Sequence, residues 1–280
     1  MVLALLRATT HQLRTTVPHD TPTTPQCTPM CGRFALITPP ARLARYFGAT
    51  LDEEVDPQGS PSWNVAPTDQ VLGLTARHDG ADGELTRTLR AYRWGLIPSW
   101  AKDAASGSRL FNARGETVST RPSFREAFKA RRIIVPADGF YEWRKQHSGS
   151  KQPHYFTRTD GEPMALAGVA EWWRDKQGPN APAIHSCSII TTTASQDMDG
   201  IHDRMPVVLS PDVFDIWLDP EAEDVNELMA LVRAAPVGTV THHAVSQRVG
   251  SVRNNDPELI APIEKGRTAQ GAGDGPATLF

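Results

Sequence analysis

A thiol, a carboxyl, an imidazole and a set of arginines are the groups of this chain with types and settings suited to chemistry. The thiol is Cys31, in the stretch Met30-Cys31-Gly32-Arg33-Phe34. If translation starts at Met30 and that methionine is removed, Cys31 becomes the first residue and carries two nucleophiles on adjacent carbons. Its α-amine, with a reference pKa of about 7.7–8.0, and its thiol, near about 8.5, are then both partly deprotonated around neutral pH. The amine can condense with an aldehyde to an imine, and the thiol can then close a five-membered thiazolidine. An internal cysteine cannot do this, because its nitrogen is an amide. The plain structural alternative is a small apolar residue opening a strand.

Glu142 lies among aromatics in Phe140-Tyr141-Glu142-Trp143. A carboxylate there is paired with an arginine, faces water on an edge strand, or is desolvated. Desolvation raises its pKa and suits it to general acid–base work. His202 sits beside Asp203 and Arg204, just ahead of an apolar run ending at Leu209. An imidazole at that position can be structural or can move protons. Trp94-Gly95-Leu96-Ile97-Pro98-Ser99-Trp100 places two indoles on a stiff loop. They either cap a core edge or form a stacking platform worth about 1–3 kcal/mol per unpaired base. Arg121, Arg125, Lys129, Arg131 and Arg132 against the single acid Glu126 make a solvated helix face or a strip that tracks phosphates.

The elements that must position these groups are mostly short strands. Apolar and β-branched runs predict strands at Val71–Leu74, Thr86–Trp94, Ile133–Pro136, Phe140–Trp143, Tyr155–Arg158, Met164–Ala170, Ser186–Thr193, up to Leu209, and Thr239–Val245. Residues 79–82 read as a hairpin turn. Helices are expected at Pro39–Gly48, Pro211–Trp217 and Val225–Val232, with another opened by a capping box of Ser123 and Glu126. Cys187 falls inside a central strand and reads as core. Many strands with few helices, and no strand–helix alternation, predict an α+β fold with a mainly antiparallel, barrel-like sheet core and peripheral helices.

Composition sets the frame. The 280 residues suffice for one large or two small domains, and the net charge of −3 confines any nucleic-acid site to a local patch. The three cysteines, Cys27, Cys31 and Cys187, include no CxxC pair and give neither a disulfide framework nor a zinc module. His242 and His243 alternate across a strand with no third ligand apparent, so no metal or cofactor is expected. No apolar run reaches the roughly 20 residues of a membrane span. A cytoplasmic monomer is the simplest reading. Residues 1–29, rich in Thr and Pro beyond His11, read as a disordered extension from an early start or a pro-segment, residues 30–263 as one domain, and 264–280 as a disordered tail.

In order along the chain, Met30-Cys31-Gly32-Arg33-Phe34, Trp63-Asn64-Val65-Ala66-Pro67-Thr68, Trp94-Gly95-Leu96-Ile97-Pro98, Asn112-Ala113-Arg114, Val135-Pro136-Ala137-Asp138-Gly139-Phe140-Tyr141-Glu142-Trp143 and His202-Asp203-Arg204-Met205-Pro206 closely resemble the SOS response-associated peptidase family. The resemblance implies a protein that binds abasic sites in single-stranded DNA and crosslinks to them through an N-terminal cysteine as a thiazolidine. It also implies autoproteolytic exposure of that cysteine. It makes Cys31 the nucleophile, Asn112 a positioning group, Glu142 the proton shuttle, and His202 the promoter of sugar ring opening and of crosslink reversal. Arg33, Arg114 and Arg204 would hold phosphates, and Trp94 and Trp143 would serve the unstacked bases. Two rival readings are a cysteine-dependent peptidase or amidase acting on other chains, and a non-catalytic single-strand binder.

Overall fold

A computed structural model describes residues 32–79, 83–175, 178 and 181–263. The chain runs β1 Phe34–Leu36, α1 Pro40–Phe47, β2 Ala49–Leu51, β3 Ser62–Val65, β4 Gln70–Asp79, β5 Glu84–Trp94, β6 Asn112–Arg114, α2 Gly115–Val118, α3 Arg125–Ala130, β7 Arg132–Ala137, β8 Gly139–Lys145, β9 Lys151–Arg158, β10 Met164–Trp173, β11 Ile184–Thr193, β12 Arg204–Pro206, α4 Phe214–Leu218, α5 Val225–Leu231 and β13 Val240–Ala244. One sheet orders its strands β13-β9-β8-β1-β3. The other orders them β12-β11-β10-β7-β4-β5-β2, with β6 beside β11. A parallel pairing of β11 with β5 closes β11, β10, β7, β4 and β5 into a ring. The mixed α+β class and the mainly antiparallel pairing are as expected from the strand pattern. Parallel contacts also occur at β2–β5 and β11–β6, between strands distant in sequence.

Two cores flank the ring. Leu43, Phe47, Phe128 and Trp217 pack from the helices onto Leu74, Leu89 and Ile190. Phe34, Trp94, Phe140 and Phe156 fill the space between the two sheets. Strand β7 shows how the sequence serves both. Ile134 joins the helix-side core and Ile133 and Val135 the other, as the two-residue strand period requires. All six β7 residues are buried, including Arg132 at 3% exposure. Arg132 donates to the carbonyls of Phe128 and Trp217, both at 2.8 Å, and also to those of Lys129 and Asp219. It therefore satisfies the carbonyl ends of α3 and α4, where helix dipoles favour a cation. Burial lowers its pKa to about 10.

Several local expectations are corrected. The N-cap of α3 is Phe124, with no side-chain cap bond, so Ser123 forms no capping box. The strand after His202 is only Arg204–Pro206. Val208 contributes one isolated bridge to Leu166. The basic strip at 121–132 is broken up: Arg132 is buried, Arg131 pairs with Glu171 at 2.9 Å, and Arg125 with Glu126 at 3.1 Å. Helix α1 begins with Pro40 and ends on Gly48 at φ 60°, as its sequence indicated. The 79–82 turn lies mostly outside the described residues.

Candidate functional site

The nucleophile's own strand is the starting point. Cys31 lies outside the described residues, which begin at Gly32. Strand β1 lies antiparallel to β8, with Phe34 opposite Phe140, and the Tyr141 N–H donates to the Arg33 carbonyl at 3.0 Å. The ladder thus runs from β1 back toward the start of the domain while β8 runs forward to Glu142. Gly139 opens β8 because no side chain fits: a Cβ there would lie 2.3 Å from the Phe156 carbonyl oxygen. Glu142 is buried at 2% exposure, which excludes the water-facing edge setting among the three its sequence allowed. Its cross-strand partner position on β9 is His154.

The other polar groups gather at one end of β11. Asn112 lies opposite Ile189, Arg114 opposite Thr191 and Arg204 opposite Thr193. The Arg204 guanidinium makes a two-point clamp on Glu116, at 2.5 and 3.0 Å, and donates to the Thr191 carbonyl at 2.6 Å. Arg204 is therefore already committed to a carboxylate, whereas Arg114 is exposed. The Arg204 backbone N–H donates to His202 Nδ1 at 3.1 Å, while Asp203 Oδ1 lies 3.0 Å from the same nitrogen. These neighbours favour opposite states. A ring with a bare Nδ1 accepts the backbone N–H, and one carrying a proton there donates to the carboxylate.

Trp94 is corrected from its expected place on the stacking surface. It is fully buried, and its indole N–H donates to the Phe111 carbonyl at 2.8 Å. Its ring meets Phe34 at 5.1 Å and Phe111 at 5.8 Å, both edge to face. The physical reason is the strand period, which turns the last residue of β5 into the space between the sheets. Trp94 thus wedges together the strand that follows Cys31 and the residue that precedes Asn112. The chain then turns at Gly95, whose φ of 129° and Cβ position 2.6 Å from the Gly107 carbonyl oxygen admit only glycine. Trp100, at the other end of this loop, is 61% exposed. Trp143 is partly buried against the cluster that contains Ala35, Tyr141, Tyr155 and Val249.

Arg33 is half-buried and also has protein partners. It donates to Asn64 Oδ1 at 2.9 Å and to the Val249 carbonyl at 2.8 Å. Burial lowers its pKa, and Asp69 and Tyr141 act against that shift. Asn64 in turn donates to the carbonyls of Ser251 and Asn254, both at 2.9 Å, and of Val249 at 3.3 Å. One buried carboxamide therefore ties β3 to the 249–254 loop.

Sequence reasoning missed one group near Glu142. His154 is buried, and its Nδ1 lies 3.1 Å from Nδ1 of His242 on β13. The doublet His242-His243 stands out in the sequence, but the partner of His242 sits 88 residues away on β9, and no local pattern signals that pairing. Cys187 is fully buried and its thiol is pushed up by burial, so it is no competing nucleophile. Among the described residues, no cluster of three or more His, Cys, Asp or Glu side chains is arranged to hold a metal, and no helix is long and apolar enough to cross a membrane. A cavity of about 230 Å³ between β1, β3 and β4 is lined mainly by Leu36, Val55, Pro61 and Val71, and holds none of these site groups.

Comparison with known proteins places the chain's sequence in a family and its fold beside a solved structure. The model of the SOS response associated peptidase (SRAP) family matches residues 30–252. The chain is 38% identical over 233 residues to the abasic site processing protein YoqW of Bacillus subtilis, covering 82% of this chain and 99% of that protein. It is 34% identical to the abasic site processing protein HMCES of Gallus gallus, covering 85% of this chain and 79% of that one. It is 32% identical to the abasic site processing protein YedK of Escherichia coli, covering 84% and 100%. A crystal structure of a Bacteroides thetaiotaomicron protein shares the fold with a TM-score of 0.72 at 24% identity, covering 84% of this chain and 100% of that one.

Proposed function

Because this chain belongs to the SOS response associated peptidase family, we propose that it captures abasic sites in single-stranded DNA as a thiazolidine on Cys31. The ring-opened abasic sugar presents an aldehyde. The Cys31 α-amine adds to that carbon, the carbinol oxygen leaves as water, and the resulting iminium accepts the thiol sulfur. The sulfur's proton is released as the ring closes. One water leaves overall, and no oxidant or metal is consumed.

The observation that carries this reading is the buried Glu142, on the strand whose neighbour leads directly to Cys31. Dehydration needs a proton at the leaving oxygen and ring closure needs one removed, and a buried carboxyl beside the reacting groups suits both tasks. The abasic-site names of the curated relatives support the substrate. Asn112, ahead of the exposed Arg114, orients the nucleophile and sugar. His202 promotes opening of the sugar ring and reversal of the adduct. Arg33, Arg114 and Arg204 hold phosphates once their present partners yield, and Trp100 supplies an exposed ring for a flanking base. The working unit is a single domain over residues 30–263. Its α-amine must be free, so the reactive species begins at Cys31, reached by methionine removal or by self-cleavage.

The test is incubation with an oligonucleotide carrying one abasic site, followed by denaturing electrophoresis. Protein beginning at Cys31 should give a heat-stable adduct with abasic but not intact DNA. Cys31→Ser should leave only a reversible imine, because an alcohol closes the ring poorly. Equal stable adduct from the serine variant, or from protein with a blocked α-amine, overturns the mechanism. Retained tight binding with no adduct would point to a non-catalytic single-strand binder.

A further inference from the structure

The capture chemistry above requires Glu142 to give up and regain a proton, and the present inference rests on that reading. Yet Glu142 is only 2% exposed. Directly across the ladder stands His154, itself 6% exposed. Cross-strand pairs bring Cβ atoms to about 4.5–5.5 Å, within reach of a glutamate and an imidazole on one face. From His154 the contact passes outward. Its Nδ1 is 3.1 Å from Nδ1 of His242, and the rings meet edge to face at 5.0 Å. His242 is partly exposed and packs on the Phe156 ring at 4.9 Å.

We propose that His154 and His242 form the proton path between buried Glu142 and water. Two neutral imidazoles joined Nδ1 to Nδ1 share one proton: one nitrogen donates it and the other accepts. For inward transfer, water protonates His242 on Nε2, the His242 Nδ1 proton passes to His154 Nδ1, and His154 releases its Nε2 proton to the Glu142 carboxylate. One proton has moved, both rings are again neutral, and each has exchanged its tautomer. Outward transfer runs the same steps backward and restores the starting tautomers. Dehydration of the carbinolamine draws one proton in and thiol addition sends one out, so a single capture leaves the pair reset.

Burial, helped by the charged surroundings, favours the neutral rings. Arg144 is next on the same face of β8 beyond Glu142, His243 adjoins on β13, and Asp197 is the acid that acts on His242. Burial lowers His154 to about 4, with Arg144, His242 and His243 pushing the same way. His242 is lowered by burial and by Arg144 and His243, against a smaller opposing effect of Asp197. A neutral ring can accept and donate at once, whereas a protonated ring has no free nitrogen and blocks transfer.

The test is the single-turnover rate of adduct formation on an abasic single-stranded oligonucleotide, with binding to the intact oligonucleotide measured separately. His242→Ala should slow adduct formation by about tenfold, less than the roughly 100-fold or more expected for loss of a direct acid–base group. Intact-strand affinity should not change. Added imidazole should restore the rate, a recovery that a purely structural role would not show. His242→Phe refills the space against Phe156 without a nitrogen, and should be slow and insensitive to imidazole. Thermal unfolding of both variants checks that they fold. A wild-type rate in His242→Phe, or a slow His242→Ala that imidazole fails to rescue, overturns the path while leaving the capture chemistry standing. No adduct from the wild-type protein refutes the capture chemistry and the path with it.

Discussion

Asn64 gives the sharpest energetic test of how the 249–254 loop is held. Its side chain is 4% exposed and serves four partners: it accepts from Arg33 and donates to the carbonyls of Val249, Ser251 and Asn254. A carboxamide has two N–H groups, so the 3.3 Å contact to Val249 shares a proton and counts for little. That leaves two neutral bonds at about 1 kcal/mol each, plus one from a charged donor at about 1.5–3 kcal/mol. Water reaches the loop carbonyls in part, so Asn64→Ala should cost about 2–4 kcal/mol. At about 2–4 °C per kcal/mol for a domain of this size, Tm should fall by roughly 5–15 °C. Asn64→Asp separates geometry from electrostatics. It keeps an acceptor for Arg33 but turns a carboxylate toward three carbonyl oxygens, which raises the carboxyl pKa in the folded state. The penalty therefore applies above that raised pKa and eases as pH falls through it. Urea and thermal unfolding at neutral and mildly acidic pH measure both effects. An Asn64→Ala protein within about 1 kcal/mol of wild type, or an Asn64→Asp protein as stable as wild type at pH 7, would show that the carboxamide is not what holds the loop.

Two further outcomes follow from the site. The Glu116 carboxyl is held below its usual 4.5 chiefly by the Arg204 hydrogen bonds. Its stabilisation is thus present above that value and lost as pH falls through the depressed one. With Glu116 half exposed, Glu116→Gln should lose no more than about 1 kcal/mol at pH 7. The stability curves of variant and wild type should converge in acid, and a gap that widens below pH 4 would contradict the assignment. The two loop tryptophans should separate cleanly. Trp100→Ala should weaken single-strand binding by about 1–3 kcal/mol with little change in Tm. Trp94→Ala should instead cost about 3–5 kcal/mol of stability. A Trp94→Ala protein that unfolds like wild type would remove the wedge role.

The strand inventory was legible because it rests on local signals. Alternation and β-branched runs located the cores of β5, β7, β8, β10, β11 and β13 to within a few residues, and Pro40 and Gly48 bounded α1. Shorter pieces were less readable. The Asn112–Arg114 strand has three residues, and it is a strand only because β11 lies beside it. The capping box failed for a related reason. Ser123 followed by Glu126 fits the pattern, but helix α3 starts one residue later and leaves Ser123 outside its first turn.

Identity of the site residues came from motifs, but their states came from distant partners that no motif contains. Arg33 resembled a phosphate ligand until its contacts with Val249, 216 residues away, were visible. Arg204 resembled another until Glu116, 88 residues away, was seen to clamp it. A guanidinium held by protein acceptors can still bind phosphate, but only by exchanging one anion or dipole for another. Its net contribution to DNA affinity is then a difference between two pairings rather than a full new contact. Arg114 is more exposed than Arg204, so substituting it should change the salt dependence of binding more than substituting Arg204 does. Trp94 makes the same point for apolar groups. Its indole looked like a platform from its neighbours in sequence, and burial between Phe34 and Phe111 makes it the part that fixes where the reactive strand can lie.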